Sequence, residues 1–102
     1  MHIDVVERDG SLILKVEGDV DLATAPLLDE QLQRATASDA ATIVVDLDDV
    51  GFIDSSGLFV LVRHTSRSRQ NGRRVCLTKG SKQAQRLFKI TGVLDHLLFV
   101  EH

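Results

Sequence analysis

The residues best suited to chemistry lie in Phe52-Ile53-Asp54-Ser55-Ser56-Gly57-Leu58. An acid, two hydroxyls and a glycine directly before an apolar run read first as a helix start. Asp54 or Ser55 would supply an oxygen to the orphan N–H groups of the first turn. The same place suits a covalently attached phosphate. A phosphoserine adds about −1.5 to −2 of charge, and a helix N-terminus tolerates negative charge. Phosphorylation of Ser55 is therefore expected to leave the fold intact and to change the surface, adding repulsion near Asp54 and Asp21. A binding switch needs that combination: the domain persists and the interface fails.

Other chemistries find less support. His2, His64, His96 and His102 are scattered, and the lone Cys76 has no spaced partner, so a metal site is not expected. Ser55-Ser56-Gly57 lacks the Gly-x-Ser-x-Gly elbow of a hydrolase nucleophile. No Walker loop and no Gly-x-Gly-x-x-Gly occurs. The sequence reads as non-enzymatic and free of cofactors.

Spacing adds a candidate interface. On a helix beginning at Ser55, positions 55, 59, 62, 63 and 66 share one broad side. Leu58, Leu61, Val62 and Thr65 form a core-facing stripe. Leu58 to Val62 is five consecutive apolar residues, too many for one amphipathic face. Phe59 lies off the stripe, beside Ser55. It is either an exposed partner anchor or is covered by another element.

The elements that must position these residues follow from periodicity. Ile3 and Val5, then Leu12, Leu14 and Val16, alternate with polar residues around Asp9-Gly10, which predicts a hairpin. Gly18 ends the second strand, and Asp19-Val20-Asp21 makes a turn. A helix begins near Thr24 with Pro26 in its first turn, burying Leu28, Leu32 and Ala35. Thr42 to Leu47 is a β-branched, nearly continuous apolar run that suits a buried central strand. A loop to Asp54 follows, with Val50, Phe52 and Ile53 tucking back. The second helix runs from about Ser55 to Gln70 and stops at Asn71-Gly72. Arg74 to Thr78 is a strand. Ser81 to Ile90 is a third helix with Ala84, Leu87 and Phe88 inward. Leu97 to Val100 is the last strand. The order β-β-α-β-α-β-α-β predicts an α/β (α+β) fold: a mixed sheet of four to five strands with helices packed on it.

Composition bounds the remaining choices. A length of 102 residues suits one domain, read here as 1–102, with about two-thirds of its unfolded surface buried. No apolar run approaches the roughly 20 residues of a membrane span, and Met1 to Asp9 carries charges of both signs, unlike a signal peptide. One cysteine fits a reducing cytosol, so the expected location is cytoplasmic, with no membrane partner. A net charge of −3 argues against direct nucleic-acid binding. Residues 1–54 carry 13 acidic and three basic groups; residues 55–102 carry two acidic and nine basic. That asymmetry either steers a partner or is interleaved by folding into a mixed surface. The basic segment Arg63, Arg67, Arg69, Arg73, Arg74 poses the same choice.

Three stretches together resemble the STAS domains of anti-sigma factor antagonists. Gly18-Asp19-Val20-Asp21 with Thr24-Ala25 is similar to their Gly-Glu-hydrophobic-Asp segment. Val44-Val45-Asp46-Leu47 to Phe52-Ile53-Asp54-Ser55-Ser56-Gly57-Leu58 is similar to their central strand and switch loop. Arg86-Leu87-Phe88-Lys89-Ile90-Thr91-Gly92-Val93 is similar to their third helix and its stop. The resemblance spans nearly the whole chain in order. It implies a partner switch. The unphosphorylated antagonist binds an anti-sigma factor that is also a serine kinase, and a sigma factor is released. The kinase phosphorylates the antagonist, the pair separates, and a PP2C-type phosphatase restores it. Carried onto this chain, Ser55 is the phosphorylated residue. Asp21 and Asp54 flank it, Ser56 is the neighbouring structural hydroxyl, and Gly57 allows close approach. On the residues alone, the structural alternatives are a turn former for Asp21 and a cap for Asp54.

Two departures qualify the resemblance. Many relatives have Gly where this chain has Phe59, and the final helix common in the family is expected to be absent or very short. The competing reading is a structural STAS subunit of a lipid-transport or stress-signalling complex, with one fixed partner and no phosphate cycle. Ser55 itself points the other way. Either version is expected to be a monomer or weak dimer.

Overall fold

The computed structural model describes residues 1–101. Strands β1 (His2–Arg8) and β2 (Ser11–Glu17) form the expected antiparallel hairpin, in unbroken register from His2 opposite Glu17 to Arg8 opposite Ser11. Asp9 and Gly10 both take positive φ, 52° and 80°, the twist that a two-residue hairpin turn demands. Helix α1 (Ala25–Thr36) leads to strand β3 (Thr42–Asp49), which lies parallel to β2. Helix α2 (Ser55–Gln70) leads to strand β4 (Arg74–Leu77), parallel to β3. Helix α3 (Lys82–Thr91) and a short 3₁₀ turn (Leu94–His96) complete the order. The spatial order of the sheet is β1-β2-β3-β4.

The alternation of each strand divides the core in two. Leu14, Val16, Ile43, Val45, Leu47, Val75 and Leu77 point to the helices and pack with Leu28 and Leu32 of α1, Leu58 and Leu61 of α2, and Phe88 of α3. Each such aliphatic side chain contributes about 1.5–3 kcal/mol on full burial. The opposite face carries a smaller cluster in which Ile13, Val44 and Cys76 stand side by side on β2, β3 and β4, flanked by Val6, Leu98 and Val100.

Several expectations are corrected. Leu97 to Val100 is not a strand: only Phe99 makes a bridge, to Leu77, with Leu77 N–H donating to Leu98 and Val100 N–H donating to Leu77. The Leu97 N–H is turned back to the Leu94 carbonyl, and the segment meets β4 at Leu77, the last residue of that strand. The sheet therefore has four strands, and β3 runs two residues past Leu47. Phe52 does not tuck back with Val50 and Ile53; it is 43% exposed. On α2, Val60 is buried and Val62 only half-buried. On α3, Leu87 is likewise half-buried, while Ala84 and Phe88 are fully inward.

Candidate functional site

Helix α2 begins at Ser55 because Asp54 caps it. The Asp54 carboxylate accepts from the N–H groups of Ser56 (2.8 Å) and Gly57 (3.2 Å), and its carbonyl accepts from Leu58 N–H. Two of the orphan donors are thereby satisfied. Ser55 is the first helical residue and its side chain is exposed; Ser56 is half-buried.

The segment before the cap is gripped from both sides. Val20 pairs with Ile53 as a parallel bridge: Val20 N–H donates to Phe52 and Asp54 N–H donates to Val20. From the other side, the Gln83 amide of α3 accepts from Ile53 N–H (3.0 Å) and donates to Ile53 C=O (2.8 Å). Ile53 thus sits like a residue of a central strand. Gly57 closes the arrangement from below. A Cβ at that position would lie 2.6 Å from Val20 Cγ1 and 2.8 Å from Ile53 Cγ1. Its close approach is to the protein's own interior, and the residue is buried.

Asp21 belongs to the neighbouring loop. Its carboxylate accepts from Ala23 N–H (3.0 Å) and Thr24 N–H (3.1 Å), while Thr24 Oγ1 accepts from Asp21 N–H and donates to Asp19 C=O. This compact turn launches α1. The Val20–Ile53 bridge fastens it beside the start of α2, so Asp21, more than 30 positions earlier in the chain, lies at the same end of the sheet as Asp54 and Ser55.

That end is both acidic and apolar. The parallel strands β2 and β3 end there, delivering Asp19, Asp21, Asp48, Asp49 and Asp54. Phe59, one turn past Ser55, is 67% exposed; Leu22, in the Asp21 turn, is 77% exposed. With Phe52 they place a large apolar side chain on each segment around Ser55. Phe59 is therefore not covered by another element. Leu22 gave no sequence signal, because exposure in a turn has no periodicity.

The basic segment lies toward the opposite end of α2 and is partly engaged within the chain. Arg63 bonds Asp29, and Arg73 bonds the Thr36 carbonyl at the end of α1. His64, only 3% exposed, also reaches Asp29 (2.7 Å). Burial pulls the Asp29 carboxyl upward, but the bonds from His64 and Arg63 outweigh it and hold the group below its ordinary range. Burial pushes the Cys76 thiol up, partly offset by Arg74, so it is a protonated core residue. Among the described residues no three His, Cys, Asp or Glu side chains converge as metal ligands would, and no helix is long and apolar enough to cross a membrane.

Comparison with known proteins bears on the family and the fold. The family model of the STAS domain matches residues 2–102. The anti-sigma-B factor antagonist of Staphylococcus aureus (strain NCTC 8325 / PS 47) is 32% identical over 95 residues, covering 93% of this chain and 88% of that one. The solved structure of the anti-sigma factor antagonist SpoIIAA in its unphosphorylated form superposes with a TM-score of 0.81 at 14% identity, covering 99% of this chain and 90% of that one. The Bacillus cell fate determinant SpoIIAA in the phosphorylated form gives 0.74 at 14% identity, covering 99% and 93%. At that identity the two structures establish the shared fold. Together with the family match and the curated relative, they show that this chain belongs to the STAS domain family.

Proposed function

We propose that this protein is an anti-sigma factor antagonist switched by phosphorylation of Ser55. The unphosphorylated chain binds an anti-sigma factor with serine kinase activity, and the sigma factor is released. The observation that carries the reading is the exposed Ser55 on a pre-capped helix start, with exposed Phe52 three residues before it, exposed Phe59 one turn after it, and exposed Leu22 on the loop that bridges to Ile53. The similarity to anti-sigma-B factor antagonists supports it over a structural subunit with one fixed partner.

The chain itself contributes a substrate hydroxyl and a docking surface, and no catalytic group. In the kinase complex Ser55 Oγ attacks the γ-phosphorus of ATP. The bond to the β–γ bridging oxygen breaks, ADP departs, and the hydroxyl proton passes to a base on the kinase. The Ser56 and Gly57 N–H groups are already taken by Asp54, so they are not free to neutralise the new phosphate. The phosphate therefore stands beside a carboxylate and among apolar anchors. Burying those anchors against the kinase would then desolvate about −1.5 to −2 of unpaired charge. Binding fails while the fold, held by the buried Val20–Ile53–Gly57 contacts, stays. A PP2C-type phosphatase delivers water to the phosphorus, releasing inorganic phosphate and regenerating Ser55. The cycle runs in the cytoplasm, where sigma factors act.

The test is intact-mass analysis after incubation with ATP and the anti-sigma kinases of the source organism, wild type against Ser55→Ala. One phosphate on wild type and none on the variant is the expected result. No phosphate with any kinase, together with stable binding to another partner, overturns it.

A further inference from the structure

The sheet has two unlike edges. At β4 the C-terminal segment covers the outer side, through the bonds of Leu98 and Val100 to Leu77. At β1 no described residue pairs with the outer side. A strand left in that condition is a template for another strand. β1 is seven residues long, carries no proline and no lysine, and pairs with β2 without a bulge, so three common protections are missing. Val5 on the strand is 49% exposed, and Leu27 of α1, 50% exposed, lines a groove with Ile3 of the strand.

We infer that β1 pairs antiparallel with β1 of a second copy of this chain about a twofold axis at Val6, forming a weak dimer with a continuous eight-stranded sheet. The occupant follows from the charges on the strand. Antiparallel twofold pairing must set residues of the same face opposite one another. Centred on Asp4, it would oppose two Asp4 carboxylates. Centred on Val5, it would set Asp4 against Val6 and His2 against Arg8. Centred on Val6, it sets Asp4 against Arg8 of the second copy, twice. Arg8 is exposed and has no ion-pair partner among the described residues; Asp4 is exposed and bonded only by His2. The same register extends the row Val6, Ile13, Val44, Cys76, each opposite the next in the sheet, directly into the row of the second copy. Val5 meets the aliphatic stem of Glu7. Five paired residues per strand make a small interface, hence a dimer that forms only at high concentration.

The test uses the full chain in analytical ultracentrifugation from about 10 µM to 1 mM, the range of weak dimers. Wild type is expected to show a reversible monomer–dimer equilibrium. Arg8→Glu and Asp4→Arg each place like charges opposite and should weaken it about tenfold. The double variant exchanges the charges and should restore it. Val6→Cys is expected to cross-link to itself under mild oxidation, since residues opposed across a strand pair lie within disulfide reach. A chain that stays monomeric throughout, single variants that dimerise like wild type, a double variant that does not recover, or a Val6→Cys protein that does not cross-link would each overturn the inference.

Discussion

Gln83 holds Ile53 by both of its main-chain groups, accepting from the N–H at 3.0 Å and donating to the C=O at 2.8 Å. One side chain of α3 thereby completes the pairing that Val20 begins on the other side, and fixes the residue that precedes the Asp54 cap. The position of Ser55 rests on this three-part clasp.

Removing the clasp should loosen the start of α2. Gln83→Ala leaves Ile53 N–H and C=O without their partners, a loss of about 1–3 kcal/mol where such groups are shielded from water. Urea unfolding should show that loss, and hydrogen exchange should show the Ile53 amide opening ahead of the core. Gln83→Glu retains the acceptor for the N–H but sets a carboxylate oxygen against the Ile53 carbonyl, and should be no better than alanine.

Ser55→Asp should separate folding from binding. A negative charge in the first turn of a helix is compatible with its dipole, so the unfolding free energy should change by less than about 1 kcal/mol. Calorimetric titration with the anti-sigma kinase should nevertheless show binding weakened by about tenfold or more, the loss expected when an unpaired charge enters a docking surface. Unfolding of this variant would contradict the account of Ser55 as a surface position.

Phe59→Ala tests the exposed apolar side chains as anchors. At 67% exposure the side chain contributes little to the core, so stability should move by no more than about 0.5 kcal/mol. Binding to the kinase should weaken by about 1–3 kcal/mol, the range for an aromatic anchor. Leu22→Ala should show a smaller effect of the same sign. A large stability loss in either variant would place its side chain in the core.

The Asp29 carboxylate predicts an acid-sensitive link between α1 and α2. Its folded pKa is held below the ordinary 3.8, because the bonds from His64 and Arg63 exceed the effect of burial. A carboxylate of this kind stabilises fully above its unfolded pKa and loses that contribution as pH falls through its folded pKa. Wild type should therefore be more stable than Asp29→Asn at neutral pH, with the gap narrowing below about pH 4. Urea midpoints measured across that range check it; a gap that is constant with pH would remove the ionic origin.

The sequence by itself determined the elements whose pattern is local. Period-two alternation about Asp9-Gly10 specified the hairpin. The spacing of Leu28, Leu32 and Ala35 specified the inward face of α1. An acid and two hydroxyls before Leu58, with Asn71-Gly72 downstream, bounded α2 at Ser55 and Gln70 as the structure has it. Ser55 was legible as a helix start, and Phe59 as a residue off the buried stripe. Tertiary structure decided what depends on residues distant in the chain. Gln83 meets Ile53 across 30 positions and His64 meets Asp29 across 35, and an amide or imidazole carries no periodicity that announces its partner. Phe52, read as tucked in, is exposed because Ile53, its neighbour, takes the inward place in the Val20 bridge, and adjacent residues in extended chain face opposite ways. Leu97 to Val100 has the composition of a strand, but a strand also needs length beside a partner, and only Phe99 finds it. Side-chain pattern sets which face of a segment is buried; what lies against that face is settled only when the sheet and helices assemble.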